Sequence, residues 1–473
     1  MNIIVILSDS LRQDHLGCYG NDWIETPYID RLAERSIRFT NAYPEALPTI
    51  PIRASLFTGQ RTLPFRPWRP LNEEDITAAE IFKRHSYTTV IIGDNYHLCK
   101  PGMNYHKGFD AFQWIRGQEG DAFRTATGSH NLDDYIKPEM RDSRVAQVLL
   151  PQYLKNIEGR EDETDYSAAQ VARTAITWLE TNDQEPFFLW VEFFDPHEPW
   201  DPPPPFDRRY TDPNYRGKKL IHPKYGPVDW MTEEELNYVR GLYAGEVSFV
   251  DTWVGKLLEK IETLGLYQNS LIVFLSDHGH PHGDHGSILK TADSLYSELL
   301  RIPMLIHLPG EEGAEESRDA LIQTHDLLPT LLDYAGLGVE AEAMHGRSLR
   351  PVIETGEGGD LRNYIIVGYH ESPHRCVRDK EWSFILRPAG QENELYNLVK
   401  DPKEQHNVIR DHPDTAEELA AQLGLYFFNP LAWEEAISLQ EQYEISGTPG
   451  EIKGAGALFQ TLTRMQHRST QPK

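Results

Sequence analysis

The chain has 473 residues, 39% of them hydrophobic, enough for one large core and a smaller satellite region. Its 46 Lys and Arg stand against 73 Asp and Glu, and the formal net charge of −27 disfavours a nucleic-acid backbone or an anionic membrane as partner. Three cysteines, Cys18, Cys99 and Cys376, are too few for a disulfide framework and fit a reducing compartment.

The opening "MNIIVILSDS" turns apolar at once and stops within seven residues, so it reads as a buried strand. It lacks the basic n-region and small-residue cleavage site of a secretory leader. No stretch approaches the roughly 20 apolar residues of a membrane span, and a soluble, cytoplasmic protein is expected. Further buried strands are expected at "TTVIIG" (88–93), "FFLWVEFF" (187–194), "LIVFLS" (271–276) and "IPMLIHL" (302–308). Helical spacing marks 77–85, 165–182 and 245–265, and the alternation predicts a parallel α/β sheet.

Residues 112–160 are polar and aperiodic, as in a long insertion, and "DPPPP" (201–205) predicts a stiff extended loop. Past "GRSLRPVIETGEGG" (346–359), the stretches "YIIVGYH", "HRCVRDKEWSFILR" and "ENELYNL" predict short antiparallel strands. The expected organisation is a catalytic domain over 1–350 and a smaller C-terminal subdomain over 351–473, fraying at "HRSTQPK".

Polar groups at strand ends carry the chemistry. Asp9 follows "IIVIL", and Asp277 and His278 follow "LIVFLS". The carboxyl ends of parallel strands form the ligand crevice of an open sheet. Two Asp and one His converging there make a hard oxygen and nitrogen set suited to a divalent cation.

The stretch "PTIPIRASLFTG" (48–59) is a helix start, with Thr49 where an N-cap would stand and Pro51 in the first turn. A plain cap does not require Arg53. A helix N-terminus attracts anions, and a metal beside it would ionise a threonine hydroxyl that is otherwise a weak nucleophile. Arg53, one turn on, would then hold the alkoxide or the substrate oxygens. "FFDPHEPW" (193–200) offers His197 as an acid for the leaving group. "SDHGHPHGDHG" (276–286) crowds four histidines together, and Asp195, His197, His282 and His285 are candidates for a second ion. Lys290, on position alone, reads as a surface lysine.

These residues resemble the sulfatase branch of the alkaline-phosphatase superfamily. "NIIVILSDSLRQDHLGCYG", "TPYIDRLAERSIRFTNAY", "TIPIRASLFTG", "DPHEPW", "LIVFLSDHG", "HDLLPTLLDYAG", "HGRSL" and "ELYNLVKDPKEQHN" fall in family order from residue 1 to about 410. The resemblance implies a large mixed sheet sandwiched by helices and a small C-terminal four-stranded antiparallel sheet. It implies Asp9, Asp277 and His278 as metal ligands joined by Thr49, Thr49 as nucleophile with Arg53 its partner, and His197 and Lys290 as substrate-anion contacts.

Three departures shape the expected reaction. Thr49 stands where sulfatases carry the cysteine or serine that becomes formylglycine, and Ser10 replaces the second Asp of the usual pair. The family's G-K-W-H stretch reads "GDNYHL" (93–98), which keeps His97 and puts Asn95 near the missing lysine; both are expected to face substrate. A threonine ester must be released by water attacking the bound phosphorus or sulfur, as the resemblance to threonine-dependent phosphodiesterases and phosphonoacetate hydrolases implies. The expected function is a metal-dependent hydrolase of phosphodiesters or phosphonate monoesters through a covalent intermediate on Thr49. A sulfatase lacking formylglycine is the alternative, and a catalytically decayed anion-binding homologue the third reading. The expected cofactor is a divalent Mn, Zn, Fe or Ca, and the expected partner a small anionic ester, with homo-oligomerisation left open.

Overall fold

The computed structural model describes residues 1–428 other than 127, 183 and 356–360. Its main sheet has nine strands. From one edge the order is Ser317–Arg318, Ile37–Tyr43, Ile302–His307, Ser270–Ser276, Asn2–Ser8, Phe187–Phe193, Thr88–Gly93 and Ala111–Trp114, with Ile322–Gln323 also paired to Ile37–Tyr43. Asn2–Ser8 lies inside the sheet, parallel to both neighbours, with Ile6 opposite Val191 on one side and Phe274 on the other. Its seven residues are all buried, as a continuous apolar run requires when both faces are covered.

Alternation along that strand feeds two apolar layers. Ile4 and Ile6 pack with the helices Ser167–Thr181 and Glu233–Thr263, whereas Ile3, Val5 and Leu7 pack with Thr49–Thr58 and Leu327–Tyr334 on the opposite face. The long helix starts at Glu233 instead of the expected 245. Thr232 accepts from the Glu235 N–H while the Glu235 side chain returns to the Thr232 N–H, a capping box that sets the start.

The five apolar runs are all strands, but the sheet is mixed and not parallel throughout. Ile302–His307 runs antiparallel to both Ser270–Ser276 and Ile37–Tyr43. A parallel return usually runs through a crossover helix, and between 277 and 301 the chain forms only the two-residue strand Ser287–Ile288 and the four-residue helix Ser297–Leu300. It therefore folds back beside the strand it has just left. "DPPPP" ends in a turn at 204–205 that leads into Phe206–Arg209, so only its first part is extended.

The C-terminal strands Ile365–Gly368, Arg375–Arg378, Trp382–Leu386 and Glu394–Asn397 form a separate antiparallel sheet covered by Pro413–Phe428. The final "HRSTQPK" lies outside the described residues. This small sheet touches the start of the Thr49 helix: Leu47 N–H donates to Gly368 O at 3.1 Å, and Leu47 forms a bridge with Tyr369. Among the described residues no helix is long and apolar enough to cross a membrane.

Candidate active site

Asp9 and Asp277 leave neighbouring strands at matched positions, because Ser8 pairs in register with Ser276. Their carboxylates therefore emerge together at the carboxyl end of the sheet. Ligand atoms of Asp9, Asp277 and His278 all lie within 4.8 Å of one another, and all three residues are fully buried. His278 Nδ1 meets the Gly279 carbonyl at 2.8 Å, which turns Nε2 inward, 3.4 Å from Asp277 Oδ2 and 3.5 Å from Thr49 Oγ1. Burial pushes His278 down to about 4, so the imidazole is neutral near pH 7, the form that ligates a metal.

Behind these groups sits Arg53, with no solvent exposure. Its Nε reaches Glu192 Oε1 at 2.9 Å, one terminal nitrogen Asp277 Oδ2 at 2.8 Å and the other Asp9 Oδ2 at 2.9 Å. Its guanidinium is thus anchored on three carboxylates, where the sequence pointed to the alkoxide or the substrate oxygens. One cation cannot balance three buried anions. Burial, and then the neighbouring Asp277, push Asp9 well above its ordinary range. Burial also opposes ionisation of Asp277, but His278, Arg53 and the Ser10 N–H outweigh it and hold that carboxyl low. Uncompensated negative charge beside a neutral inward-facing imidazole fits a divalent cation held by Asp9, Asp277 and His278.

Thr49 is the first residue of its helix, and Pro48 occupies the cap position without any side-chain cap bond. The cap reading therefore fails, because the Thr49 hydroxyl is directed at His278 and not at the helix N–H groups. Asn95 Nδ2 donates to Asp9 Oδ2 at 3.1 Å and Glu192 Oε1 at 3.0 Å, and its Oδ1 accepts the His97 N–H, so its amide clamps the carboxylates beside the cation site. His97 turns away to Glu119, with Nε2 3.4 Å from Oε2, and its ring meets the edge of Trp68 at 5.0 Å.

His197 stacks on Phe194 with ring centres 4.0 Å apart, and its Nδ1 lies 2.7 Å from the Glu198 carbonyl oxygen. Burial pushes it down to about 3. A neutral ring that donates from Nδ1 presents Nε2 as an acceptor. Lys290 is not a surface lysine: Nζ sits 3.0 and 3.2 Å from the Glu198 oxygens and 3.5 Å from Ser10 Oγ.

The candidate second ion site does not assemble. Asp195 accepts from Gln118 at 2.7 Å, and the His282 ring packs on Tyr243 and His280. His285 joins Glu298 at 2.6 Å and the Glu404 carbonyl at 3.0 Å. Among the described residues, Asp9, Asp277 and His278 are the one grouping with cation-site geometry.

His285 thereby ties the histidine-rich loop to the C-terminal segment. Burial opposes its charge, but Glu298 and the Glu404 carbonyl outweigh it and raise His285 from 6.5 to about 8. A raised histidine contributes stability that is complete below 6.5 and lost as pH climbs through about 8, a lift worth about 2 kcal/mol. Denaturant unfolding at about pH 6 and about pH 9 is expected to show that extra loss in the wild type and not in His285→Gln. Equal pH slopes would overturn the pairing.

Several site residues escaped the sequence reading. Glu192 carried a signal, since an ionisable residue inside the buried run "FFLWVEFF" demands a partner. Glu198 sat beside His197 without a distinguishing pattern, and Glu119 comes from the insertion that had no motif. Tyr369, just past the strand Ile365–Gly368, brings a buried hydroxyl that has no hydrogen-bond partner among the described residues.

Comparison with known proteins places this geometry. The "Sulfatase" family model matches residues 1–337, and the "N-sulphoglucosamine sulphohydrolase, C-terminal" model matches 283–425. An arylsulfatase of Clostridium perfringens is 30% identical over 451 residues, covering 86% of this chain and 90% of the relative. A multifunctional alkaline phosphatase superfamily protein of Trinickia caryophylli is 25% identical, covering 87% and 91%. The crystal structure of a phosphonate monoester hydrolase of Agrobacterium radiobacter superposes with a TM-score of 0.68 at 23% identity, covering 93% of this chain and 95% of that one.

Proposed function

The chain belongs to the sulfatase family, in its alkaline-phosphatase-like branch, and on that premise we propose that it hydrolyses singly charged esters, phosphonate monoesters and phosphodiesters foremost, with Thr49 as nucleophile. The observation that carries the reading is the Thr49 hydroxyl, at a helix N-terminus and 3.5 Å from the inward nitrogen of His278. Attack by Thr49 Oγ1 on phosphorus forms a threonine ester and breaks the bond to the leaving oxygen. Water then attacks the same phosphorus and restores the hydroxyl. Asp9, Asp277 and His278 would hold a divalent ion, which when bound would supply Lewis acidity and lower the pKa of the hydroxyl. Arg53 and Asn95 hold the carboxylates in place, and the free N–H groups of the helix end offer donors to the bound anion.

Charge favours one negative unit over two. Asn95 supplies a neutral amide near the place of the family's lysine, and Arg53 is fully engaged by carboxylates. Sulfate monoesters carry the same single charge. The names of the relatives, an arylsulfatase among them, favour a sulfatase as the second reading. Matched nitrophenyl esters of sulfate, phosphonate, phosphate diester and phosphate monoester separate the readings, with intact mass checked for a trapped adduct on Thr49. Turnover of the phosphonate or the diester is expected to exceed that of the phosphate monoester dianion, and turnover of sulfate alone would replace the leading reading by the second. Asn95→Lys is expected to move the preference towards the dianion, and an unchanged ratio would remove the charge argument.

A further inference from the structure

Glu198 follows His197 in "DPHEPW", has no solvent exposure and gathers an unusual set of donors. Its Oε2 lies 3.0 Å from His280 Nε2 and 3.0 Å from Lys290 Nζ. Its Oε1 lies 3.2 Å from the same Nζ and accepts the hydroxyl of Tyr225, a residue 42% exposed. Burial opposes the charge of this carboxyl, yet His197 and Lys290 outweigh it and hold Glu198 well below the usual carboxylate range. Lys290 Nζ in turn stands 3.5 Å from Ser10 Oγ, which donates to Asp9 Oδ1 at 2.9 Å. Glu198 therefore sits three contacts from Asp9 of the cation site, on the lysine that faces it.

We propose that Glu198 sets the charge preference of the site: by pairing Lys290 on a buried carboxylate it leaves the pocket without an uncommitted cation for the second charge of a dianion. Glu198 is a positioning residue, acting through Lys290 and not on the substrate. Arg53 is bound by three carboxylates and Asn95 is neutral, so Lys290 is the cation whose pairing decides the balance. The same pairing speeds departure of doubly charged inorganic products, because the lysine that would retain them is already engaged. The inference rests on the proposed binding of an ester anion at this site.

The test uses the full chain loaded with one divalent metal throughout, and reads calorimetric binding of sulfate and methyl sulfate. These two ions differ by one charge and hold that charge across neutral pH. Glu198→Gln keeps the size and the hydrogen-bond acceptor but removes the charge. It is expected to raise the sulfate to methyl sulfate affinity ratio about tenfold, as one unit charge freed at close range and partly screened does. Glu198→Asp should hold the wild-type ratio, and Lys290→Met should move the ratio the opposite way. A purely structural role would lower thermal stability and leave all three ratios alone. If Glu198→Gln does not fold, the other two variants still decide. Ratios within about twofold of wild type in every folded variant would overturn the proposal. Neither ion needs to be hydrolysed, so the binding result stands or falls separately from the ester panel that tests the reaction.

Discussion

Thr49→Ala is expected to lose several orders of magnitude in kcat, as removal of a covalent nucleophile does in other hydrolases. Thr49→Ser is expected to keep substantial turnover, because the hydroxyl, the helix end and the cation-binding residues all remain. The comparison is clean in this fold. Thr49 makes no side-chain cap bond, so the alanine variant loses no cap. The change removes one methyl and one hydroxyl from a buried position, a cost of about 1 kcal/mol, small beside the stability of a domain this size. Measuring kcat for the serine and alanine variants at matched metal occupancy, with melting curves alongside, decides the matter. An alanine variant near wild-type kcat would end the covalent mechanism.

The second large effect is on stability. Arg53→Met removes the one guanidinium that Asp9, Asp277 and Glu192 share, leaving three buried carboxylates held by neutral donors: the Asn95 amide, the Ser10 N–H and hydroxyl, the His278 N–H and the Trp190 indole. Breaking a buried ion pair from one side costs about 3–5 kcal/mol, because the remaining charge has lost its partner and has no water. The loss is expected to be largest with a chelator present and smaller in millimolar divalent metal, since an ion at Asp9 and Asp277 restores positive charge to the same place. Denaturant midpoints of wild type and Arg53→Met, each with chelator and with metal, test this. A variant as stable as wild type in chelator would mean that the carboxylates are protonated and the arginine carries no such burden.

Much of this site was legible because charge interrupts apolar runs. Asp9 and Asp277 stand where "IIVIL" and "LIVFLS" stop, and strand geometry alone carries them to one edge of the sheet. Thr49 and Arg53 were legible as positions, but their partners were not: helical spacing does not say that Arg53 will turn inward among three acids. The carboxylate partners of Asn95 were hidden for the same reason, since a missing lysine shows what was lost but not which atoms the new amide meets. Glu119, Gln118 and Tyr225 arrive on loops whose placement depends on tertiary packing, and no periodicity marks them. The direction of Ile302–His307 was equally hidden, because an apolar run reads the same in either sense.

The pairing of Asn2–Ser8 with Ser270–Ser276 and Phe187–Phe193 has a consequence for how the protein is made. Asn2–Ser8 is an interior strand, and both of its flanks, Phe187–Phe193 and Ser270–Ser276, are synthesised well after it. Ser10 must wait for Asp277, 267 residues downstream, to accept its N–H. Such long closure is slow, and meanwhile an apolar strand with two open edges is exposed to aggregation. Chains interrupted before about residue 280 cannot bring Asp9 and Asp277 together, so capture of a divalent ion would mark a nascent chain that has paired Ser270–Ser276 with Asn2–Ser8.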